Sequence, residues 1–178
     1  MAEYIGEMEE FEIRKHLEQL HKNSYVWSLR CCNQNKFMAE EALQNVYLKI
    51  LEGKAVYKQK STFKTWLFSV IRLTVLDMYR FRKLRFLRTD KYNLESKNST
   101  HLPEVDDKRL DQLRNALAQL PLRQQEVLDL FLYHSMTLDQ IAQVLNISIG
   151  SVRQHYARGK QRIKKLVTNQ TSSNYGRS

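Results

Sequence analysis

The thirty residues TLDQIAQVLNISIGSVRQHYARGKQRIKKL, from Thr137 to Leu166, leave few folds open to the chain. Thr137 and Gln140 have the spacing of a capping box, in which each side chain satisfies a backbone N–H of the other, so a helix is predicted to start there. Ile141, Val144 and Leu145 then share one face, with Asp139 and Gln143 directed away from it. Asn146 follows, and asparagine enters left-handed backbone more readily than any residue but glycine, which allows a sharp turn. Ser148 can cap a second helix. Its apolar stripe is Ile149, Val152, Tyr156, Ile163 and Leu166, and its other faces carry Arg153, Gln154, Arg158, Lys160, Arg162, Lys164 and Lys165 with no acid among them. Two short helices crossing at such a turn make a helix-turn-helix. Arg and Gln near the start of its second helix suit bidentate hydrogen bonds to guanine and adenine edges, and the later cations suit phosphates. Duplex DNA is the implied partner.

The rest of the chain is also helical in pattern. Its 178 residues include only five glycines and two prolines, and apolar residues recur at helical rather than alternating spacing, so the predicted class is all-α with two small domains joined by a flexible linker. A first helix is predicted from Glu9 to Cys32, with Phe11, Leu17, Leu20, Tyr25 and Leu29 inward. A second spans Ala39–Leu51, with Ala42, Leu43, Val46, Tyr47 and Ile50 inward and Gly53 closing it. After the polar loop KAVYKQKS a third runs from Thr62 to Lys83, its apolar face built from Phe63, Trp66, Leu67, Val70 and Ile71. The segment TDKYNLESKNSTHLPEVDD, residues 89–107, loses the period and reads as the linker. Leu110, Leu113 and Leu117 then open a new helix, and Pro121 is predicted as the first residue of another, with Val127, Leu128 and Phe131 inward. The predicted domains are thus 8–88 and 108–167, with a flexible tail at 168–178.

Charge narrows the function classes. A net charge of +10 points to an anionic partner, nucleic acid or a membrane surface. The basic residues gather in two stretches, Arg72–Lys91 and Arg153–Lys165, behind an acidic start. No apolar run approaches a membrane span and the start lacks a signal peptide's pattern, so no membrane insertion and a cytoplasmic location are expected. Cys31 and Cys32 are adjacent, which fits neither a disulfide framework nor a zinc site, and His16, His21, His101, His134 and His155 are scattered, so no metal and no cofactor are expected. Gly53-Lys54 and Gly159-Lys160 lack the remainder of a phosphate-binding loop. No nucleophile, base and orienting group can be assembled, and the chain is read as not an enzyme.

The blocks FKTWLFSVIRLTVLDMYR and LPLRQQEVLDLFLYHSMTLDQIAQVLNISIGSVRQHYARGKQRI, in this order and separation, resemble regions two and four of bacterial sigma factors, best those of the small extracytoplasmic-function type. The resemblance implies a protein that binds core RNA polymerase, at the clamp helices of its largest subunit and at its flap, and reads promoter DNA at the minus-ten and minus-thirty-five elements. An anti-sigma factor is a further partner that the family implies. MAEEALQNVYLKI looks like the polymerase-docking helix, with Glu41, Gln44 and Asn45 as contacts; many relatives carry an acid where this chain has Asn45. The loop from Ala55 to Thr62 resembles the one that captures a flipped minus-ten base, for which Tyr57 offers stacking and Lys58 and Lys60 charge. Phe63, Lys64, Thr65 and Trp66 fall where the family separates strands, Trp66 reading either as core or as a stacking platform. Arg72, Arg80, Arg82 and Lys83 would meet phosphates of the melted strand, and Leu73 stands where relatives often have Asn. Ser151, Arg153, Gln154, Ala157, Arg158 and Lys160 fall where the family reads the minus-thirty-five element. The rival from another class is a stand-alone helix-turn-helix regulator, which would bind its operator without polymerase.

Overall fold

The computed structural model describes residues 10–88 and 116–174, with side chains described for 10–84 and 116–166. The predicted linker at 89–107, the helix start around Leu110 and Leu113, and the last residues of the tail lie outside the described residues. Six helices lie whole within the described residues: α1 (Glu10–Cys31), α2 (Lys36–Leu51), α3 (Phe63–Arg88), α4 (Leu122–Leu132), α5 (Leu138–Leu145) and α6 (Ile149–Asn174). Residues 116–118 are helical as well, and no strand occurs among the described residues. The helices fall into two compact units: α1–α3 form the first, and α4, α6 and most of α5 belong to the second.

In the first unit, α1 carries Glu10 and Glu12 in its first turn and Arg30 in its last, matching the helix dipole at both ends. It ends in two left-handed residues, Asn33 (φ 51°) and Gln34 (φ 64°). Asn35 then caps α2 by accepting a hydrogen bond from the Met38 amide at 3.0 Å. That cap moves the start of α2 to Lys36, a turn before the predicted Ala39. Small residues let α1 and α2 approach closely: Ser28 Oγ donates to the Ala39 carbonyl at 2.9 Å, and Ala39 and Ala42 are fully buried. Gly53, at φ +69°, ends α2 as expected, its amide bonding to the Ile50 carbonyl at 3.0 Å. Trp27 is the centre of the core. Its ring lies parallel to Phe68, with centroids 5.9 Å apart, and its indole N–H donates to the Phe68 carbonyl at 3.1 Å, so the one polar atom of the ring is satisfied. Phe11, predicted inward, is instead 73% exposed, because Ile13 and Leu17 carry the inner stripe of α1.

The second unit is held by Leu117, Leu120 and Leu128, against which Tyr156 and Ile163 of α6 pack. Pro121 precedes α4 as its cap residue, one place before the predicted position. At the other end α6 continues to Asn174, beyond the predicted boundary at 167. The apolar period ends there, but no glycine or proline stops the backbone before Gly176.

Candidate nucleic-acid interface

The turn that separates α5 from α6 is built as the residues dictate. The Gln140 amide donates to Thr137 Oγ1 at 3.2 Å and the Thr137 amide to Gln140 Oε1 at 2.9 Å, closing the capping box. Asn146 has φ 52°, and the Ile147 amide bonds back to the Ala142 carbonyl at 3.1 Å. Ser148 accepts from the Ser151 amide at 3.1 Å and starts α6. Ile141, Val144, Leu145 and Val152 are all buried, as their spacing required.

The two faces of α6 are fixed by how it meets α4. Gly159 is buried there, and a Cβ added to it would lie 2.7 Å from Leu128 Cδ1, so any larger residue requires the Leu128 side chain or α6 to shift. Three residues away, Tyr156 packs on Phe131 with ring centroids 4.7 Å apart. With that side against α4, Arg153, Gln154, Ala157, Arg158 and Lys160 are all exposed, and so are Arg162, Lys164 and Lys165 further along. Ser151 differs from the other residues assigned to this surface. It is half-buried and its hydroxyl shares a hydrogen bond with Ser148 Oγ at 2.9 Å, so it serves the cap.

In the first unit the loop before α3 presents Lys58 and Lys60 to solvent, with Gln59 at φ 55° between them. Tyr57 corrects the sequence reading. It is only 9% exposed, its hydroxyl donates to the Ser61 carbonyl at 2.5 Å, and its ring meets the edge of Phe63 at 5.2 Å and Trp66 at 5.3 Å. A tyrosine with its ring packed and its hydroxyl satisfied holds the loop and offers no open face for stacking. Trp66, half-buried and 5.1 Å from Phe63, belongs to the same cluster, which favours the core alternative. Thr62 caps α3, accepting from the Thr65 amide at 3.2 Å. Lys64 is half-buried, with Nζ 5.7 Å from the Phe68 ring centroid, and burial holds its ammonium below the usual lysine range.

Arg72 is a second correction. At 6% exposure it does not lie on an open phosphate-binding surface, because it follows Phe68 by four residues and precedes Val75 by three, both of them core residues. Arg80 is exposed and pairs with Asp77 at 3.3 Å. Arg82 pairs across to Glu41 at 2.9 Å, tying α3 to α2. Glu41 and Asn45 are half-buried on α2 and Gln44 is exposed. Sequence reading missed two neighbours on that face: Phe37 is 74% exposed and Leu48 is 54% exposed. They stand four residues before Glu41 and four after Gln44, off the buried stripe, and apolar residues in that position were the available signal.

Comparison with known proteins places both units. Residues 13–85 match the family described as Sigma-70 region 2, and residues 110–163 match Sigma-70 region 4, so the two matches together take in most of the chain. The chain belongs to the sigma-70 family. It is a sigma factor of the extracytoplasmic-function type, and it acts in transcription initiation with core RNA polymerase and promoter DNA. It is 25% identical to RNA polymerase sigma factor YlaC of Bacillus subtilis over 73% of this chain and 78% of that protein. It is also 25% identical to ECF RNA polymerase sigma factor SigX of the same organism, over 74% of this chain and 72% of the relative. In fold the sigma factor resembles RpoE of Bartonella quintana, solved with the anti-sigma factor NepR, at a TM-score of 0.71 and 19% identity over 88% of this chain and 97% of that one. Among its described residues no helix is long and apolar enough to cross a membrane, and no cluster of side chains could hold a metal ion.

Proposed function

We propose that this sigma factor reads the minus-thirty-five element with the exposed face of α6 and engages the minus-ten strand with the loop at 55–62. The observation that carries the reading is the exposed row Arg153, Gln154, Ala157 and Arg158 beginning one turn after the Ser148 cap, with its opposite side fastened to α4 through Gly159. Arg153 and Gln154 select bases, Ala157 leaves room for a thymine methyl, and Arg158 and Lys160 meet phosphates. In the first unit the charge for a single strand comes from Lys58, Lys60 and Lys64, with Arg80 and Lys83 along α3; Tyr57, Trp66 and Arg72 shape the support beneath them. Glu41, Gln44 and Asn45, flanked by exposed Phe37 and Leu48, form the surface for the clamp helices of the largest polymerase subunit, and the second unit takes the flap. The protein recruits and melts and is not itself an enzyme; it works in the cytoplasm. The RpoE relative solved with NepR supports an anti-sigma factor as a further partner.

Small DNA-reading units need not bind tightly alone when polymerase holds two of them in register, since linkage raises the effective concentration of each. The test is transcription by core polymerase loaded with Arg153→Ala or Lys164→Ala on matched promoters and on promoters altered in the minus-thirty-five element. A lost bidentate contact costs about 1–3 kcal/mol of discrimination, so Arg153→Ala should narrow the gap between promoters by roughly fivefold or more, whereas Lys164→Ala weakens both alike. Equal losses on both promoter sets for Arg153→Ala overturn the assignment.

A further inference from the structure

His16 sits on α1, far in sequence from the loop at 55–62, yet its ring stacks on Phe63 at a centroid distance of 5.0 Å and an interplanar angle of 24°. Phe63 is 7% exposed and is the first residue of α3, immediately after the Thr62 cap. It meets Tyr57 edge-on at 5.2 Å, and Tyr57 in turn holds the Ser61 carbonyl through its hydroxyl. The rings thus form a chain from α1 through the head of α3 to the loop backbone that carries Lys58 and Lys60. The loop is held besides by the Ala55 amide on the Lys49 carbonyl at 2.9 Å and by Tyr57 against Trp66 at 5.3 Å, while Lys58, Gln59 and Lys60 are exposed. The contacts that hold Phe63 and Tyr57 in place therefore bear on where the two ammonium groups stand.

We infer that His16 is a positioning residue for minus-ten strand capture, acting through Phe63 and Tyr57 on the loop at 55–62. The inference rests on the proposed role of that loop. A flat ring at position 16 supplies a plate against Phe63 that an aliphatic side chain does not reproduce, and preorganised contacts lower the ordering cost of capturing a flexible single strand. His16 acts through Phe63 and not by contact with a base. Its effect is confined to how well the loop is poised.

The experiment uses core polymerase loaded with the full chain and, as probe, a fluorescent single-stranded non-template oligonucleotide spanning the minus-ten element of a promoter that the wild-type holoenzyme selects from a random library. His16→Ala should weaken binding of this oligonucleotide by roughly two- to twelvefold, the size expected from losing one aromatic pair. His16→Phe should restore it to within about twofold, because the plate is restored. Affinity for core polymerase, and binding of a duplex carrying only the minus-thirty-five element, should stay at wild-type values for both variants. Loss of oligonucleotide binding by His16→Phe equal to that of His16→Ala, or equal losses in the two control affinities, overturns the inference and leaves His16 a general packing residue. Wild-type binding by His16→Ala overturns it as well. The paired change Lys58→Ala with Lys60→Ala tests the underlying reading separately: no loss there refutes the loop as the capture site, while a loss there with wild-type His16→Ala binding refutes only the positioning role.

Discussion

Gly159→Ala tests the helix contact that orients the DNA-reading face. The added methyl carbon would stand 2.7 Å from Leu128 Cδ1, 3.3 Å from Leu128 Cγ and 3.4 Å from Gln124 Cβ. Favourable carbon–carbon separation is about 3.5–4.0 Å, so either α6 or the Leu128 side chain must move by close to 1 Å. Leu128 is 2% exposed and enclosed by Leu117, Leu120, Tyr156 and Ile163, which leaves it little space to turn into. Overpacking of this kind costs about 1–3 kcal/mol. Against it, alanine gains about 1 kcal/mol over glycine inside a helix. The expected net loss is about 0–2 kcal/mol, read as reduced hydrogen-exchange protection of α6 amides in the full chain by mass spectrometry. The decisive measurement is the double-mutant cycle with Leu128→Ala. That change alone should cost about 2–5 kcal/mol through its cavity, but it removes both Leu128 atoms the methyl would strike. In its background Gly159→Ala should become neutral or stabilising by up to about 1 kcal/mol, a coupling of roughly 1–3 kcal/mol. Stabilisation of the wild-type background by the full helix-propensity gain, with no coupling to Leu128, would refute the close approach. Because α6 carries Arg153 and Gln154, the wild-type-background variant should also lose promoter affinity, and regain part of it when Leu128 is truncated.

Three further outcomes are expected. Thr137→Ala removes the acceptor for the Gln140 amide and should lower protection of the first turn of α5 by about 1 kcal/mol, with Gln140→Ala lower by a similar amount; unchanged exchange in both would discount the capping box. Asn146→Ala forces a Cβ-bearing residue without Asn's local hydrogen bonding into φ 52° and should cost about 1 kcal/mol in urea unfolding followed by circular dichroism, whereas Asn146→Gly should be nearly neutral; equal effects would contradict the left-handed turn. Burial pushes the Cys32 thiol up to about 11 from 9.0, so the unfolded chain loses this proton first, and stability intact below pH 9 should fall as pH rises from about 9 to 11. Over two pH units this amounts to at most about 2.7 kcal/mol. Burial also raises Tyr47, which acts in the same sense. Both tryptophans, Trp27 and Trp66, lie in the first unit, so urea unfolding followed by their fluorescence reports it directly; a midpoint flat from pH 9 to 11 would remove the argument, and Cys32→Ala should make the fall shallower.

Much of this protein is written in local sequence. Thr137, Gln140, Asn146 and Ser148 specify a cap, a turn and a second cap through bonds to backbone groups no more than five residues away, and local bonds of that kind can be read from spacing alone. The exposure of Arg153, Gln154 and Arg158 follows from the stripe of Val152, Tyr156 and Ile163 opposite them. Local pattern also placed Gly53 at the end of α2. It did not place Tyr57 or Arg72, whose residue types suit nucleic acid while their positions bury them. For Tyr57 the deciding partners were Phe63, Trp66 and the Ser61 carbonyl; for Arg72 it was the stripe shared with Phe68 and Val75.

The sequence by itself therefore determined the helices, their turns and the chemistry of the basic face, because capping, left-handed turns and helical periodicity act over a few residues. Tertiary structure decided which cations remain open to a partner, that Gly159 lets α6 settle onto Leu128, and that His16 reaches Phe63 from another helix. The last two depend on contacts between residues dozens of positions apart, and their energies exist only once packing has brought the helices together.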